Sequence, residues 1–214
     1  MAAPDAGRWY TDRFPDGPAR GTLAGMATSD KASTRDRLLD AASELFYRDG
    51  VSIGVETLCR TAGVSKRSMY QLFASKDEVL AASLERRRPE YEAQLILPEQ
   101  EPGTPRERIL HVFERLEKSA AQPGYQGCPY LAALVELKDP EHPASVVARG
   151  AKDGMRDHFR ALAEQGGARD PELLSRQLML VFDGANARAG SRVETLDGLT
   201  TETVTLLLDA SGLA

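Results

Sequence analysis

Three basic residues, Lys66, Arg67 and Lys76, lie close together in a chain whose net charge is −5. Each follows a serine by one or two positions, in a pattern that predicts the first turn of a helix. A cation there costs about 0.3–1 kcal/mol, because the N-terminal end of a helix carries partial positive charge. A phosphate reverses this effect, since the cations and the helix N–H groups then attract the same anion. The segment therefore predicts phosphate binding, and solvated surface charge is the alternative.

Two short predicted helices, residues 55–62 and 66–73, hold these basic residues. The turn between them reads Ala-Gly-Val-Ser at 62–65, and a glycine-containing turn between two short helices is typical of a helix-turn-helix. Ser65 can cap the second helix by accepting a hydrogen bond from the backbone N–H of Ser68. The pattern therefore predicts a DNA-reading motif.

The apolar residues of this segment predict which of its side chains face outward. Val64 and Met69 stand at the two positions of a hydrophobic staple, and Met69 and Phe73 fall on one inward face. The side chains left facing outward are those of Lys66, Arg67, Ser68, Tyr70 and Gln71. A further helix follows, because Ser75 and Glu78 occupy the positions of a capping box.

The remainder of the chain reads as helical throughout. Residues 1–30 are rich in Gly, Pro, Ala and charge, which predicts a disordered tail, and a helical period begins at Ser33. Later helices are indicated by a capping box at Thr104 and by prolines at 129, 143 and 171, and the last is expected to start at Thr200. No alternating strand with a hairpin signal is found. We expect an all-α fold of about nine helices.

Composition excludes several classes of protein. Hydrophobic residues make up 42% and charged residues 28%, as in globular domains. No apolar run approaches the roughly 20 residues that cross a bilayer, and the N-terminal residues lack the apolar segment of a secretory signal. We therefore expect a cytoplasmic protein. Two distant cysteines and three scattered histidines predict neither a disulfide framework nor a metal site, and no cofactor is expected.

Charge is distributed unevenly along the chain. Residues 1–76 carry 11 Lys and Arg against 9 Asp and Glu, whereas residues 77–214 carry 16 against 23. The basic surplus therefore lies in the part that contains the predicted helix-turn-helix. Because this surplus is small, the position of each cation matters more than the total.

Residues 33–80 resemble the DNA-binding domain of the TetR family of bacterial repressors. The matching residues are Ala41, Ala42, Leu45, Phe46, Gly50, Ala62, Gly63, Val64, Ser65, Lys66, Met69, Tyr70, Phe73, Ser75, Lys76 and Asp77. The resemblance implies a three-helix DNA-binding domain over residues 31–84, whose third helix enters the major groove. The DNA-binding residues that it implies are Ser65, Lys66, Arg67, Ser68, Tyr70, Gln71 and Lys76. Tyr70 and Lys76 match positions that hold phosphates, and Arg67 or Gln71 would read bases.

This sequence departs from the family pattern at three places. Gly54 and Val55 stand where a Thr or Ser often begins the second helix, which puts that phosphate contact in doubt. Leu72 replaces a common histidine. Arg67 replaces a residue that is often small, which can shift the preferred base.

The resemblance also implies that residues 85–214 form an effector-binding and dimerisation domain, in which the last two helices form a four-helix bundle with their symmetry mates. The predicted dimer residues are Leu178, Val181, Phe182, Ala185, Ala189, Val204, Leu207 and Leu208. An ordinary intramolecular core explains the same stripes. A dimer is favoured because it doubles the base contacts of a single motif, at half-sites about 34–36 Å apart.

A pocket for a small-molecule effector is predicted among inward aromatic residues and isolated polar groups. The candidates are Phe113, Tyr125, Cys128, Tyr130, Met155, His158, Phe159, Phe182 and Asp183. A plain hydrophobic core is the alternative for the apolar members. An effector can act only if it binds the DNA-incompetent conformation more tightly.

Together these features favour a sequence-specific regulator, a homodimeric repressor that a small molecule releases from a pseudo-palindromic operator. An enzyme is the first rival, but the sequence lacks GxSxG, HExxH, P-loop and GxGxxG motifs. A helical interaction protein without DNA is the second, and it would leave the three cations at two helix N-termini unexplained. We expect no enzymatic activity and no membrane partner.

Overall fold

Nine α-helices make up residues 33–213, the part of the chain that the computed structural model describes. They are α1 Thr34–Asp49, α2 Val55–Ala62, α3 Lys66–Leu72, α4 Lys76–Leu95, α5 Pro105–Ala120, α6 Pro129–Leu137, α7 Pro143–Gln165, α8 Pro171–Gly190 and α9 Leu199–Ser211. Within that range there is no strand, so the predicted all-α fold is confirmed. The tail predicted over residues 1–30 lies outside the described residues.

Side chains at the helix starts explain where the helices begin. The predicted capping box at Thr104 is confirmed, since its hydroxyl accepts from the Glu107 N–H and the Glu107 carboxylate accepts from the Thr104 N–H. The box predicted after Ser75 forms only in part. Ser75 accepts from the Glu78 N–H, but the Glu78 carboxylate accepts from the N–H of Ala74 instead. The Glu78 side chain therefore reaches one residue further back than in a capping box, and α4 still begins after Ser75.

Two hydrophobic cores lie one after the other along the molecule. The first core joins α1, α2, α3 and the first half of α4 to α6 and the start of α7. The second core joins the end of α4 to α5, α8, α9 and the rest of α7. Helix α4 runs through both cores, and the predicted boundary at residues 84–85 falls within it. Because α4 packs into both cores, the structure shows no break in packing at residues 84–85. The division into two functional domains therefore remains a prediction.

Four polar contacts join α1, the turn that follows it and α4 to α6, α7 and the loop before α6. The backbone N–H of Val51 donates to Glu136 Oε2 at 2.8 Å, and the N–H of Gln126 donates to Tyr47 Oη at 2.8 Å. The Tyr130 hydroxyl donates to the carbonyl of Leu84 at 3.1 Å, and His142 Nε2 lies 3.5 Å from a carboxylate oxygen of Asp77. The orientation of the first three helices is therefore fixed by specific bonds as well as by apolar packing. Within residues 33–213 no helix is long and apolar enough to span a membrane.

Candidate DNA-binding interface

A left-handed glycine makes the turn between α2 and α3. Gly63 has φ +64° and ψ +37°, a conformation that costs other residues about 1–2 kcal/mol. The N–H of Gly63 donates to Arg60 O at 3.2 Å, and the N–H of Val64 donates to Cys59 O at 3.0 Å. Ser65 then accepts from the Ser68 N–H at 3.0 Å, as the sequence predicts. The turn therefore ends α2 and starts α3 within three residues.

Buried contacts hold the inner face of α3. Met69 is fully buried, and its Sδ lies 3.8 Å from the Sγ of Cys59 on α2. Phe73 caps the helix and is buried, with the Arg35 guanidinium 5.5 Å from its ring centre. Burial raises the pKa of the Cys59 thiol, and the nearby Lys66 opposes this only in part. A thiol with a raised pKa is a poor nucleophile, so Cys59 acts here as a core residue.

The outer face of α3 is open. Lys66, Arg67, Tyr70 and Gln71 are exposed, and Tyr70 leaves 53% of its surface uncovered by the described chain. Lys66 forms an ion pair with Glu56 at 3.6 Å, in which both side chains are exposed. The Ser68 hydroxyl is less accessible, since it lies 2.8 Å from the Ser65 hydroxyl at the cap. Four of the predicted contact residues therefore project together from one short, anchored helix.

Lys76 occupies a different position from the other predicted DNA contacts. Its Nζ donates to the carbonyl of Val51 at 2.7 Å, in a partly buried contact that ties the start of α4 to the chain after α1. Nothing in the sequence indicates this bond, because it reaches a backbone carbonyl 25 positions away. An ammonium has three donors, so a phosphate contact remains compatible with it. Replacing Lys76 would nevertheless disturb the fold as well as any bound DNA.

Comparison with known proteins decides the family. The sequence profile of the bacterial regulatory proteins of the tetR family matches residues 38–83. The crystal structure of a TetR-type transcriptional regulator from Streptomyces avermitilis superposes with a TM-score of 0.84, at 58% identity, over 86% of this chain and 100% of that one. This chain belongs to the TetR family.

Other TetR-family structures and curated relatives agree. A TetR-family transcriptional regulator from Streptomyces coelicolor gives a TM-score of 0.72 at 26% identity, over 83% of this chain and 93% of that one. The transcriptional repressor NemR of Escherichia coli is 32% identical over 56% of this chain and 62% of the relative. A transcriptional regulator of Mycobacterium tuberculosis is 33% identical over 40% of this chain and 46% of the relative. The chain thus aligns with about half of the length of these two curated relatives.

The predicted effector-pocket residues of this TetR-family chain do not line one cavity. The Phe113 and Phe159 rings stack with centres 5.6 Å apart, and Phe182 meets Phe113 edge-on at 6.3 Å. All three rings are buried in the second core. A space of about 10 Å³, the size of one water, is lined in part by Cys128, Tyr130, Met155 and Phe182. This part of the predicted pocket is close-packed core.

Two polar members of the predicted pocket have partners within the protein, and a third does not. The Tyr125 hydroxyl donates to Asn186 Oδ1 at 2.6 Å, and Asp183 forms an ion pair with Lys152. His158 Nε2 is buried without a hydrogen-bond partner among the described residues. The aromatic members therefore lie together, whereas the polar members have separate surroundings, and the effector pocket remains a prediction.

His158 should make stability depend on pH. Burial, and secondarily Arg108, lowers its pKa below the usual 6.5. The folded chain then binds fewer protons than the unfolded chain, so stability is lost as pH falls below about 6.5. We expect the thermal midpoint of unfolding to fall between pH 7.5 and pH 5.5, and to fall less for His158→Phe. An equal fall in both proteins would contradict this role.

Five of the eight predicted dimer residues need correction. All eight belong to or pack against the second core, and Leu178, Phe182, Ala185, Val204 and Leu208 are buried within the protomer. These five cannot present a contact surface, because their side chains already pack against helices of the same chain. Val181, Ala189 and Leu207 are half-buried, and for them the interface remains a prediction. The opposite faces of α8 and α9 carry a second apolar stripe: Leu173, Leu180, Gly184, Ala187, Leu199 and Leu206, which we call the outer stripe. Leu180 and Leu206 are 75% and 69% exposed.

Proposed function

We propose that this TetR-family chain is a sequence-specific DNA-binding repressor that acts as a homodimer in the cytoplasm and leaves its operator when a small molecule binds. The observation that carries the proposal is the outer face of α3, where Lys66, Arg67, Tyr70 and Gln71 stand exposed on a helix whose inner face is fixed in the core. A helix presented in this way fits the major groove of B-DNA, which is about 12 Å wide.

The exposed side chains divide into two chemical roles. Lys66 and Tyr70 suit phosphate oxygens, and Lys76 can add a phosphate contact from the start of α4. Arg67 and Gln71 suit base edges, because arginine pairs with guanine and glutamine with adenine through two hydrogen bonds each. The hydroxyls of Ser65 and Ser68 are engaged mainly in capping α3. We therefore assign sequence reading to Arg67 and Gln71.

The dimer proposal follows from the exposed apolar outer stripe and from the small number of base pairs that a single helix-turn-helix can contact. Exposed leucines at 180 and 206 form an apolar surface on two neighbouring helices, and Gly184 and Ala187 let a partner helix approach closely. A two-fold dimer would repeat the base contacts of α3 at half-sites one helical turn of DNA apart. The operator is then expected to be pseudo-palindromic.

Salt dependence tests the DNA-binding proposal. Binding to mixed double-stranded DNA, measured by fluorescence anisotropy, should weaken by about 10³-fold or more between 50 and 200 mM salt if a dimer neutralises at least six phosphates. In vitro selection should then recover a two-fold symmetric site. Absence of DNA binding at 50 mM salt would overturn the proposal.

Substitutions on α3 should separate the two roles. Gln71→Ala and Arg67→Ala should each lose about 1–3 kcal/mol of discrimination at one base pair of the half-site. Lys66→Ala should weaken binding to every sequence by a similar factor and reduce the salt dependence. Lys66 is preferred to Lys76 because its one ion pair is exposed and contributes little to the fold.

Arg156→Ala serves as the control for these substitutions. Arg156 is a half-exposed arginine on α7, paired with acidic residues of the same helix. Its loss should leave affinity and sequence preference unchanged. If Gln71→Ala and Lys66→Ala instead have identical effects on all sequences, the division between base reading and phosphate contact is wrong.

A further inference from the structure

An acidic side chain lies beside the candidate DNA contacts of α3. Glu56 is the second residue of α2, and 79% of its side chain is exposed. Its Oε2 lies 3.6 Å from the Nζ of Lys66, the first residue of α3. A phosphate bound by Lys66 would therefore approach a carboxylate of like charge. The first turns of α2 and α3 thus bring a cation and an anion together on the surface proposed to meet DNA.

The stability of α2 accounts for an acidic residue at this position but not for its partner. A carboxylate in the first turn of a helix is favourable, because the N-terminal end of a helix carries partial positive charge. Arg60 follows one turn later, at a spacing that often pairs with an acidic residue, yet it contacts the Thr57 hydroxyl at 3.5 Å. Among the described residues, Glu56 makes its ion pair with Lys66. The carboxylate is therefore directed to α3 rather than along its own helix.

The contact between Glu56 and Lys66 can open without disturbing the fold. Its length of 3.6 Å exceeds the range of about 2.7–3.2 Å for an N–H···O hydrogen bond, so the two groups attract each other through charge alone. Both side chains are more than half exposed, and water and salt screen such pairs. A DNA phosphate can therefore displace the carboxylate from Lys66. The free energy of this displacement is subtracted from the free energy of DNA binding.

We propose that Glu56 lowers the affinity of this chain for DNA, because its carboxylate competes with DNA phosphates for the Lys66 ammonium. The inference rests on the proposed function, since it concerns the regulation of the same DNA-binding face. A phosphate contact carries no sequence information. Glu56 should therefore lower the affinity for every sequence by the same factor and leave the discrimination between sequences to Arg67 and Gln71.

The alternative role for a carboxylate on this face is base reading, because glutamate accepts a hydrogen bond from the amino group of cytosine. The ion pair favours competition. Glu56 faces the ammonium that is suited to the DNA backbone, whereas a base reader must reach past the backbone into the groove. Removal of the charge gives opposite results for the two roles. Competition predicts tighter binding to all DNA, and base reading predicts weaker binding to the operator.

Glu56→Gln in the full chain tests the proposal, because it removes the charge and keeps the size of the side chain. Binding to mixed double-stranded DNA, measured by fluorescence anisotropy at about 0.1 M salt, should tighten by about tenfold. A dimer carries two such ion pairs, and the loss of each exposed pair changes the binding constant by about threefold. Binding to the selected operator should tighten by the same factor. Unchanged affinity, or weaker binding to the operator, overturns the proposal.

Glu164→Gln is the matched control, because it removes the same charge from an exposed carboxylate elsewhere on the protein. Glu164 lies near the end of α7, where the helix packs in the second core, and its Oε1 is 3.9 Å from the Arg160 guanidinium. The substitution should change the affinity for either DNA by less than about twofold, since salt screens distant charges. If Glu164→Gln tightens binding as much as Glu56→Gln does, total charge sets the affinity and the proposal falls.

A double substitution shows whether Glu56 acts through Lys66. In the Lys66→Ala protein, the further change Glu56→Gln should alter the affinity for DNA by less than about twofold, because the ammonium for which the carboxylate competes is absent. A tightening of about tenfold in this background overturns the ion pair as the cause.

The same measurements separate this inference from the function on which it rests. Binding by the unsubstituted protein decides the proposed function, and the ratio of the affinities of the two proteins decides the inference. If the unsubstituted protein binds DNA and Glu56→Gln binds with the same affinity, the inference falls and the proposed DNA binding stands. If neither protein binds DNA at about 50 mM salt, where phosphate contacts are strong, both fall.

Discussion

Leu180→Glu is expected to dissociate the proposed dimer into monomers. Leu180 is 75% exposed in the protomer and lies at the centre of the outer stripe of α8, so a dimer built on that stripe buries it twice. An unpaired carboxylate at an apolar interface costs several kcal/mol, and a two-fold axis brings in two. The dissociation constant of the dimer should rise at least about 100-fold, equivalent to about 2.7 kcal/mol. Sedimentation velocity at micromolar concentration measures the change.

Operator binding should weaken together with dimerisation. A monomer presents one copy of α3 and loses half of the base contacts, although Leu180 is far from α3 in sequence. Val146→Glu is the matched control, because Val146 is also an exposed apolar residue, on α7 and outside the outer stripe. It should leave both the mass and the operator affinity unchanged. A Leu180→Glu protein that remains a dimer would show that the outer stripe is not the interface.

The helix ends were predictable because each depends on a few neighbouring residues. A proline after a capping residue sets the start of α5, and Gly63 sets the end of α2. Neither effect depends on the tertiary structure. The same holds for α3, where a staple and a serine cap fix which side chains face outward. Interactions between residues close in sequence therefore predict most of the side chains that are exposed on the candidate DNA-binding face. The exception is Lys76, whose partner is distant in sequence.

The two faces of α8 could not be told apart from periodicity. Leu174 and Leu178 follow one helical stripe, and Leu173 and Leu180 follow another. Both stripes are apolar, and only tertiary packing decides that the first enters the core and the second stays exposed.

A close approach of two backbones ties α8 to the loop that precedes α6. A Cβ added to Gly190 would lie 2.6 Å from the carbonyl oxygen of Gln126 and 2.8 Å from the nitrogen of Gly127. The same loop is held by the Tyr125 hydroxyl on Asn186 and by the Gln126 N–H on Tyr47. One short segment therefore connects the helix that carries the outer stripe to α1 of the DNA-binding region.

Gly190→Ala should be strongly destabilising for this reason. Alanine is intrinsically favoured over glycine within a helix, so any loss must come from the contact with the loop. The obstructing atoms are backbone and cannot rotate away, and we expect a loss of about 3 kcal/mol, with a fall of about 6–12 °C in the thermal midpoint. Thermal unfolding followed by circular dichroism measures it.

Gly150→Ala provides the matched comparison within another helix. A Cβ at Gly150 meets only the Arg88 guanidinium, at 3.8 Å, which is an ordinary contact. It should therefore be neutral or stabilise the protein by up to about 1 kcal/mol. Equal midpoints for the two variants would mean that the loop yields easily at Gly190. A loop that moves at so little cost could not fix the position of Gln126 against Tyr47. That result would therefore contradict the proposed connection between α8 and α1.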